Sequence, residues 1–191
     1  MLGDSREEEE ERMFARTPRL TLRPGWPEDA PELLAAIGHR SVVEKLARVP
    51  WPYMVEHARD WLAGQSRDGY SLLICAHDLA RSPRLVGAIG LHMGEEGLEL
   101  GYWLTPAAWG RGYATEAGLH MVGVARMLGH TRLSAFYHLD NPASGRVLRK
   151  LGFREVGRAP RPSLGRGCAV DSALMELDLD EGERPVMPLA A

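Results

Sequence analysis

The sequence predicts an α/β fold of the α+β kind: a mixed, mostly antiparallel central sheet of about six to seven strands with helices on both faces. Three observations carry that expectation. Apolar runs at 71–76, 84–92 and 98–104 follow one another with no helical stretch between them. The last two are joined by the turn Gly94-Glu95-Glu96-Gly97, so they pair antiparallel as a hairpin. After residue 104 helical and strand patterns alternate, which demands a parallel portion. The length of 191 residues, 45% apolar and 26% charged, suits one domain with a sizeable core.

The elements follow in order. Arg19-Leu20-Thr21-Leu22-Arg23 alternates in polarity and stops at Pro24, as a first strand does. Residues 28–38 read as a helix, with acids in the first turn, Pro31 early and Gly38 after the last apolar residue. Residues 53–64 carry Val55, Ala58, Trp61 and Leu62 at helical spacing. The three strands come next. The longest helical pattern is 113–128, followed by a strand at 132–139 and a helix at 142–151. Asn141 is placed to cap that helix, Pro142 to open it and Gly152 to end it. Segments 153–156 and 169–177 close the sheet, and the basic loop between them, with Arg158 and Arg161, is expected to edge a groove.

Residues 1–13 form an acidic run with little apolar periodicity and are expected to be a disordered tail. Residues 14–182 form one domain, and 183–191 a loose C-terminal end. The start has no apolar signal region, and no run approaches the ~18 apolar residues of a membrane span. Two cysteines, Cys75 and Cys168, make neither a disulfide scaffold nor a four-ligand zinc site. The histidines at 39, 57, 77, 92, 120 and 130 have no metal-ligand spacing, so no metal is expected. A cytoplasmic protein without a membrane partner is the expectation. The net charge of −3 argues against general nucleic-acid binding. The segment 146–166 is nonetheless rich in Arg and suits one phosphate-bearing ligand.

Chemistry concentrates in two segments. In Gly101-Tyr102-Trp103-Leu104-Thr105-Pro106-Ala107-Ala108-Trp109-Gly110-Arg111-Gly112-Tyr113-Ala114-Thr115-Glu116-Ala117, a strand runs through a glycine-rich loop into a helix. Amides at a helix start are unpaired and carry the positive dipole end, and glycines let that backbone close on a pyrophosphate. The loop has neither the Gly-Lys-Ser/Thr of a P-loop nor the spacing of a dinucleotide fingerprint. The second segment is Asn141-Pro142-Ala143-Ser144 with Leu151-Gly152-Phe153.

Together with Thr17-Pro18-Arg19-Leu20-Thr21-Leu22-Arg23-Pro24, these segments resemble the GNAT superfamily of acetyl-CoA-dependent N-acetyltransferases. Within it they look most like the ribosomal-protein N-terminal acetyltransferase branch. The resemblance runs from about residue 17 to 178. One departure is Trp109, which stands where the acyl-CoA loop usually has Gln or Arg. The resemblance implies acetyl-CoA as cofactor, with its pyrophosphate on the amides of Arg111, Gly112, Tyr113, Ala114 and Thr115. It implies pantetheine beside Trp103, Leu104 and Thr105, with Asn141 across the gap, and Arg146, Arg149 or Lys150 near the adenosine phosphate. Ser144 resembles the hydroxyl that in this branch protonates the leaving thiolate or holds a water. Glu99 shares a strand face with Gly101 and Trp103 and is the candidate base, acting through water. One of Tyr137 and His138 faces away from the site. The amine acceptor is expected to be a protein or peptide N-terminus. A small-molecule amine and a non-catalytic acyl-CoA-binding module are the alternatives. Monomer and homodimer both suit the branch.

Overall fold

The computed structural model describes residues 15–64, 69–94 and 97–180. The expected acidic tail, the C-terminal end 183–191 and the turn residues Glu95 and Glu96 lie outside them. One sheet of eight strands runs in the order β1-β2-β3-β4-β5-β6-β8-β7. Its strands are β1 (Ala15–Arg16), β2 (Leu20–Arg23), β3 (Gly69–Ala76), β4 (Arg84–Gly94), β5 (Gly97–Leu104), β6 (Arg132–His138), β7 (Arg154–Ser163) and β8 (Cys168–Asp178). The helices are α1 (Ala30–Ile37), α2 (Arg40–Val43), α3 (Val55–Gly64), α4 (Tyr113–Met127) and α5 (Pro142–Lys150).

The sheet exceeds the expected six to seven strands because of its margin. The two-residue β1 adds an edge that is too short for an alternation pattern to show. Residues 157–163, expected as loop, continue β7 to Ser163 and pair with β8 along its length. Pro160 and Pro162 sit in this strand because β7 is the sheet edge, where a missing N–H faces no partner. A register shift between Glu155 and Gly157 marks a bulge.

Helices cover both faces, as expected. Side chains on one face of the sheet pack with α1, α2 and α3 around Leu33, Val43, Leu73 and Ala88. Those on the other pack with α4 and α5 around Tyr113, Met121, Leu133 and Leu148. Since both faces are covered, β4 is buried almost continuously from Leu85 to Leu91. In β5 the alternation sends Leu100, Tyr102 and Leu104 toward α4 and α5, and Trp103 toward α1 and α3.

One joint in the sheet differs from all the others. β5 and β6 are the parallel neighbours, and they are paired at one position, Glu99 opposite Ser134. Beyond it the strands part toward their C-terminal ends, which leaves one backbone edge of β5 without a ladder. The remaining pairs in the sheet are antiparallel.

Candidate active site

The gap between β5 and β6 opens into a cavity of about 960 Å³, lined from both faces of the sheet. Gly112, Ala114, Thr115, Tyr102, Asn141 and Ser144 line its α4–α5 side. On the other side Glu99, Trp103, Phe136, Tyr53, Trp61 and His92 form the walls. Leu104 also lines the cavity.

The loop before α4 is shaped by two glycines. Gly110 and Gly112 have φ of 74° and 84°, a left-handed conformation that disfavours any side chain. Gly112 caps α4 without a side chain, and the first helical bond runs from the Glu116 N–H to the Gly112 carbonyl, 3.0 Å. The N–H groups of Tyr113, Ala114 and Thr115 precede it and remain available as donors. The Tyr113 side chain is fully buried, and its hydroxyl donates to the Asp78 carboxylate. Only its amide is therefore offered to the cavity side. Arg111 is exposed and donates from Nε to the Ala107 carbonyl at 3.3 Å.

Trp109 has a visible role in this loop. Its indole N–H donates to the Leu104 carbonyl at 2.8 Å, tying the loop to the end of β5. A second brace comes from the start of the chain. The Arg19 guanidinium donates to the Arg111 carbonyl at 2.9 Å and pairs with Glu116 at 2.7 Å. Burial raises the pKa of Glu116, but hydrogen bonds from the Thr17 hydroxyl and from the Arg19 N–H and guanidinium outweigh it and hold the carboxyl below its ordinary value.

Across the gap, Asn141 caps α5 as expected, accepting from the Ser144 N–H at 3.4 Å. The Ser144 hydroxyl lies 2.8 Å from the Tyr102 hydroxyl, whose single proton is shared between Ser144 Oγ and, at 3.2 Å, the Ser144 carbonyl. Burial pushes the Tyr102 phenol up to about 12, partly offset by Ser144. Tyr137 and His138 do face opposite sides. Tyr137 packs in the α4–α5 core, while His138 is buried with Nδ1 2.9 Å from the Ser172 hydroxyl.

The basic residues divide. Arg146 and Lys150 line the cavity, and Lys150 also lines an adjoining groove with Arg19, Gly112 and His120. Arg149 turns away. Its Nη2 donates to the Tyr137 hydroxyl at 3.1 Å and stands 3.9 Å from Glu155. Arg158 pairs with Glu155 on the exposed surface, and neither Arg158 nor Arg161 lines the cavity.

A family model described as an acetyltransferase (GNAT) domain matches residues 19–154. The chain belongs to the GNAT acetyltransferase family. An uncharacterized N-acetyltransferase of Bacillus subtilis (strain 168), YoaA, is 36% identical over 77 residues, covering 38% of this chain and 44% of that protein. A GNAT-family acetyltransferase from Bacillus anthracis superposes with a TM-score of 0.74 at 21% identity, over 88% of this chain and 100% of that one. RimL, a ribosomal L7/L12 α-N-protein acetyltransferase solved with coenzyme A, gives 0.72 at 19% identity, over 89% and 100%. The microcin C7 self-immunity acetyltransferase MccE, solved with acetyl-CoA and AMP, gives 0.70 at 18%, over 85% and 93%. At these identities the solved structures establish a shared GNAT fold.

Two features of this GNAT site were not anticipated from the sequence. His92 stands directly opposite Glu99 in the β4–β5 ladder, with Nε2 3.0 Å from Glu99 Oε1. The hairpin turn at 94–97 already implies this register. Asp140, next to Asn141, is gripped by Lys45 at 3.1 Å and by Arg166 at 2.7 Å. These contacts fasten the segment after α2 and the tip of the β7–β8 hairpin to the cavity rim, and no local pattern announces them.

Proposed function

We propose that this protein transfers an acetyl group from acetyl-CoA to a primary amine, with the α-amine of a protein or peptide N-terminus as acceptor. The observation that carries the reading is the parting of β5 and β6 beyond Glu99 and Ser134, next to the free amides that open α4. An extended pantetheine arm fits the unpaired edge of β5 near Trp103, as an added strand would. A pyrophosphate fits the amides of Arg111, Gly112, Tyr113, Ala114 and Thr115, where the helix dipole favours negative charge. Lys150 and Arg146 supply cations for the remaining phosphate.

The two sides of the sheet then divide the work. Ser144 and Tyr102 lie on the cofactor side, where the leaving thiolate needs a proton. Glu99 and His92 lie on the opposite side, where the amine must lose one. An α-amine, with an ordinary pKa of about 8, is neutral far more readily than a lysine amine near ~10.4. The structural likeness to a ribosomal L7/L12 α-N-protein acetyltransferase supports the same acceptor class.

Calorimetric titration of acetyl-CoA into the full chain is the first test, and a folded protein that does not bind it overturns the reading. Thiol release is then measured over a panel of N-terminal peptides and small amines. Turnover of peptides supports the stated acceptor. Turnover of small amines alone replaces it with the second class, and binding without turnover marks a non-catalytic acyl-CoA module.

A further inference from the structure

We propose that His92 is the base of this site, taking the amine proton at Nδ1, and that Glu99 is the positioning residue that orients its ring. The proposal rests on the acetyl-transfer reading above and names the proton acceptor within it.

The residues concerned lie on the face of the sheet toward α1 and α3. Three rows cross β4 and β5 on this face in register: His92 with Glu99, Gly90 with Gly101, and Ala88 with Trp103. The middle row has no side chains on these two strands, and Ser71 of β3 continues it. It forms a bare floor between the carboxylate and Trp103. Four residues of strand separate Glu99 from Trp103, about 13 Å at the usual rise. A glutamate side chain does not span that distance.

The His92 ring does cross part of it. A Cβ built on Gly101 would lie 3.2 Å from His92 Cε1 and 3.9 Å from Nδ1, so the ring lies alongside the bare backbone of Gly101. Its Nε2 faces Glu99, at 3.0 Å from Oε1. A carboxylate can only accept, so Nε2 carries the proton and the neutral ring keeps its lone pair on Nδ1. His92 lines the cavity, and Nδ1 has no hydrogen-bond partner among the described residues. The basic nitrogen thus lies at the edge of the glycine floor, within the cavity that Trp103 also lines.

The other ionisable groups on this side of the cavity are occupied or stand on other elements. Lys45 is held by Asp140, and His57 accepts the Met54 N–H through its own Nδ1. Tyr53 is buried and raised to about 12 by burial and by Asp60. Arg48 and Asp60 line the cavity from the α2–α3 segment and from α3. Ser134 faces Glu99 from β6 and donates to the Leu98 carbonyl.

The step balances within these groups. The amine nitrogen forms the new C–N bond as the thioester C–S bond breaks and the sulfur keeps the electron pair. The surplus amine proton passes to the Nδ1 lone pair. The sulfur is protonated on the other side of the sheet by Ser144, which takes a proton back from solvent, and His92 returns its proton to solvent.

The first test needs no turnover. Long-range proton–nitrogen NMR on the full chain with labelled histidine should show His92 as the Nε2–H tautomer, and Glu99→Ala should convert it to a mixture of tautomers. An Nδ1–H tautomer in the wild type overturns the proposal while leaving acetyl-CoA binding, and so the functional reading, intact. With an acceptor in hand, His92→Ala should lower kcat by about 10²-fold or more with unchanged acetyl-CoA affinity, and added imidazole should restore part of it. Gly101→Ala, which crowds the ring without removing a polar group, should also lower kcat. A His92→Gln enzyme that keeps wild-type kcat while Glu99→Gln is inactive makes Glu99 the base and overturns the assignment. Absence of acetyl-CoA binding overturns the functional reading instead, and the tautomer measurement still decides the ring's orientation.

Discussion

Tyr102 on β5 and Ser144 on α5 face each other across the gap, their hydroxyls 2.8 Å apart. Because burial pushes the Tyr102 phenol up to about 12, it is a neutral donor at any pH the enzyme would meet. The Ser144 hydroxyl is thereby held in one place rather than rotating freely. If it protonates the thiolate, Ser144→Ala should lower kcat by about 10²-fold, within the usual range for a positioned acid. Tyr102→Phe should cost roughly 1 kcal/mol of stability and a smaller part of kcat, because it removes the orienting bond and not the donor. Steady-state kinetics with thermal unfolding on both variants checks this. Equal losses of kcat would contradict it.

The glycines of the α4 segment separate backbone need from mere tolerance. Gly112 sits at φ 84°, and a Cβ there would meet Arg19 Nη2 at 3.4 Å. Gly112→Ala should shift the loop out of its left-handed conformation and weaken acetyl-CoA by about 5- to 30-fold, since holding that conformation with an L-residue costs about 1–2 kcal/mol. Gly123 lies within α4, with nothing within 4 Å of its added Cβ. Gly123→Ala should stabilise the protein by roughly 0.5–1 kcal/mol and leave affinity unchanged. Calorimetry and melting curves of the pair give both numbers.

These two regions also show what a single sequence makes legible. The Gly-rich loop, the α5 cap at Asn141 and the hairpin at 94–97 are local, and each follows from a few adjacent residues. The strand continuing from Arg154 to Ser163 does not, because prolines at 160 and 162 read as loop until the strand is known to be an edge. α2 is too short, at four residues, to show a helical period. The His92–Glu99 contact could be derived from the hairpin register, yet a lone histidine carries no chemistry until its neighbour is placed. The clamp on Asp140 joins residues 45, 140 and 166, far apart in sequence, and needs the whole fold.

The bases of α5 face different surroundings, and this bears on the proposed phosphate contact. Lys150 lines both the main cavity and the groove beside Arg19, whereas Arg149 is spent on Tyr137 and Glu155. Lys150→Ala should weaken acetyl-CoA several-fold, by on the order of 1 kcal/mol, and reduce the salt dependence of binding. Arg149→Ala should act chiefly on stability, by roughly 1 kcal/mol, through the lost Tyr137 contact. Titrations at two salt concentrations distinguish the two, and a larger affinity loss in Arg149→Ala would return that residue to the cofactor.

Acid should unfold the protein in two stages. Burial, with the nearby positive charges of Arg166 and Lys45, lowers the pKa of His138 from its ordinary 6.5, against the opposing effect of Asp140. The unfolded chain therefore takes up this proton first, so stability is full above about 6.5 and declines as pH falls from there toward the folded value. Glu116 is held below the ordinary 4.5. Its contribution is complete above that value and is lost as pH falls through the lower folded one. Glu116→Gln should therefore shrink the lower stage, to which the lowered Asp29 and Asp140 also contribute, and leave the upper. It should also cost about 1–3 kcal/mol at neutral pH, because Thr17 and Arg19 lose a charged acceptor. Denaturant melts from pH 7 to 3.5 on the wild type and this variant test both stages. A wild-type stability that stays flat down to pH 5 would contradict the first, and an unchanged slope below 4.5 in Glu116→Gln the second.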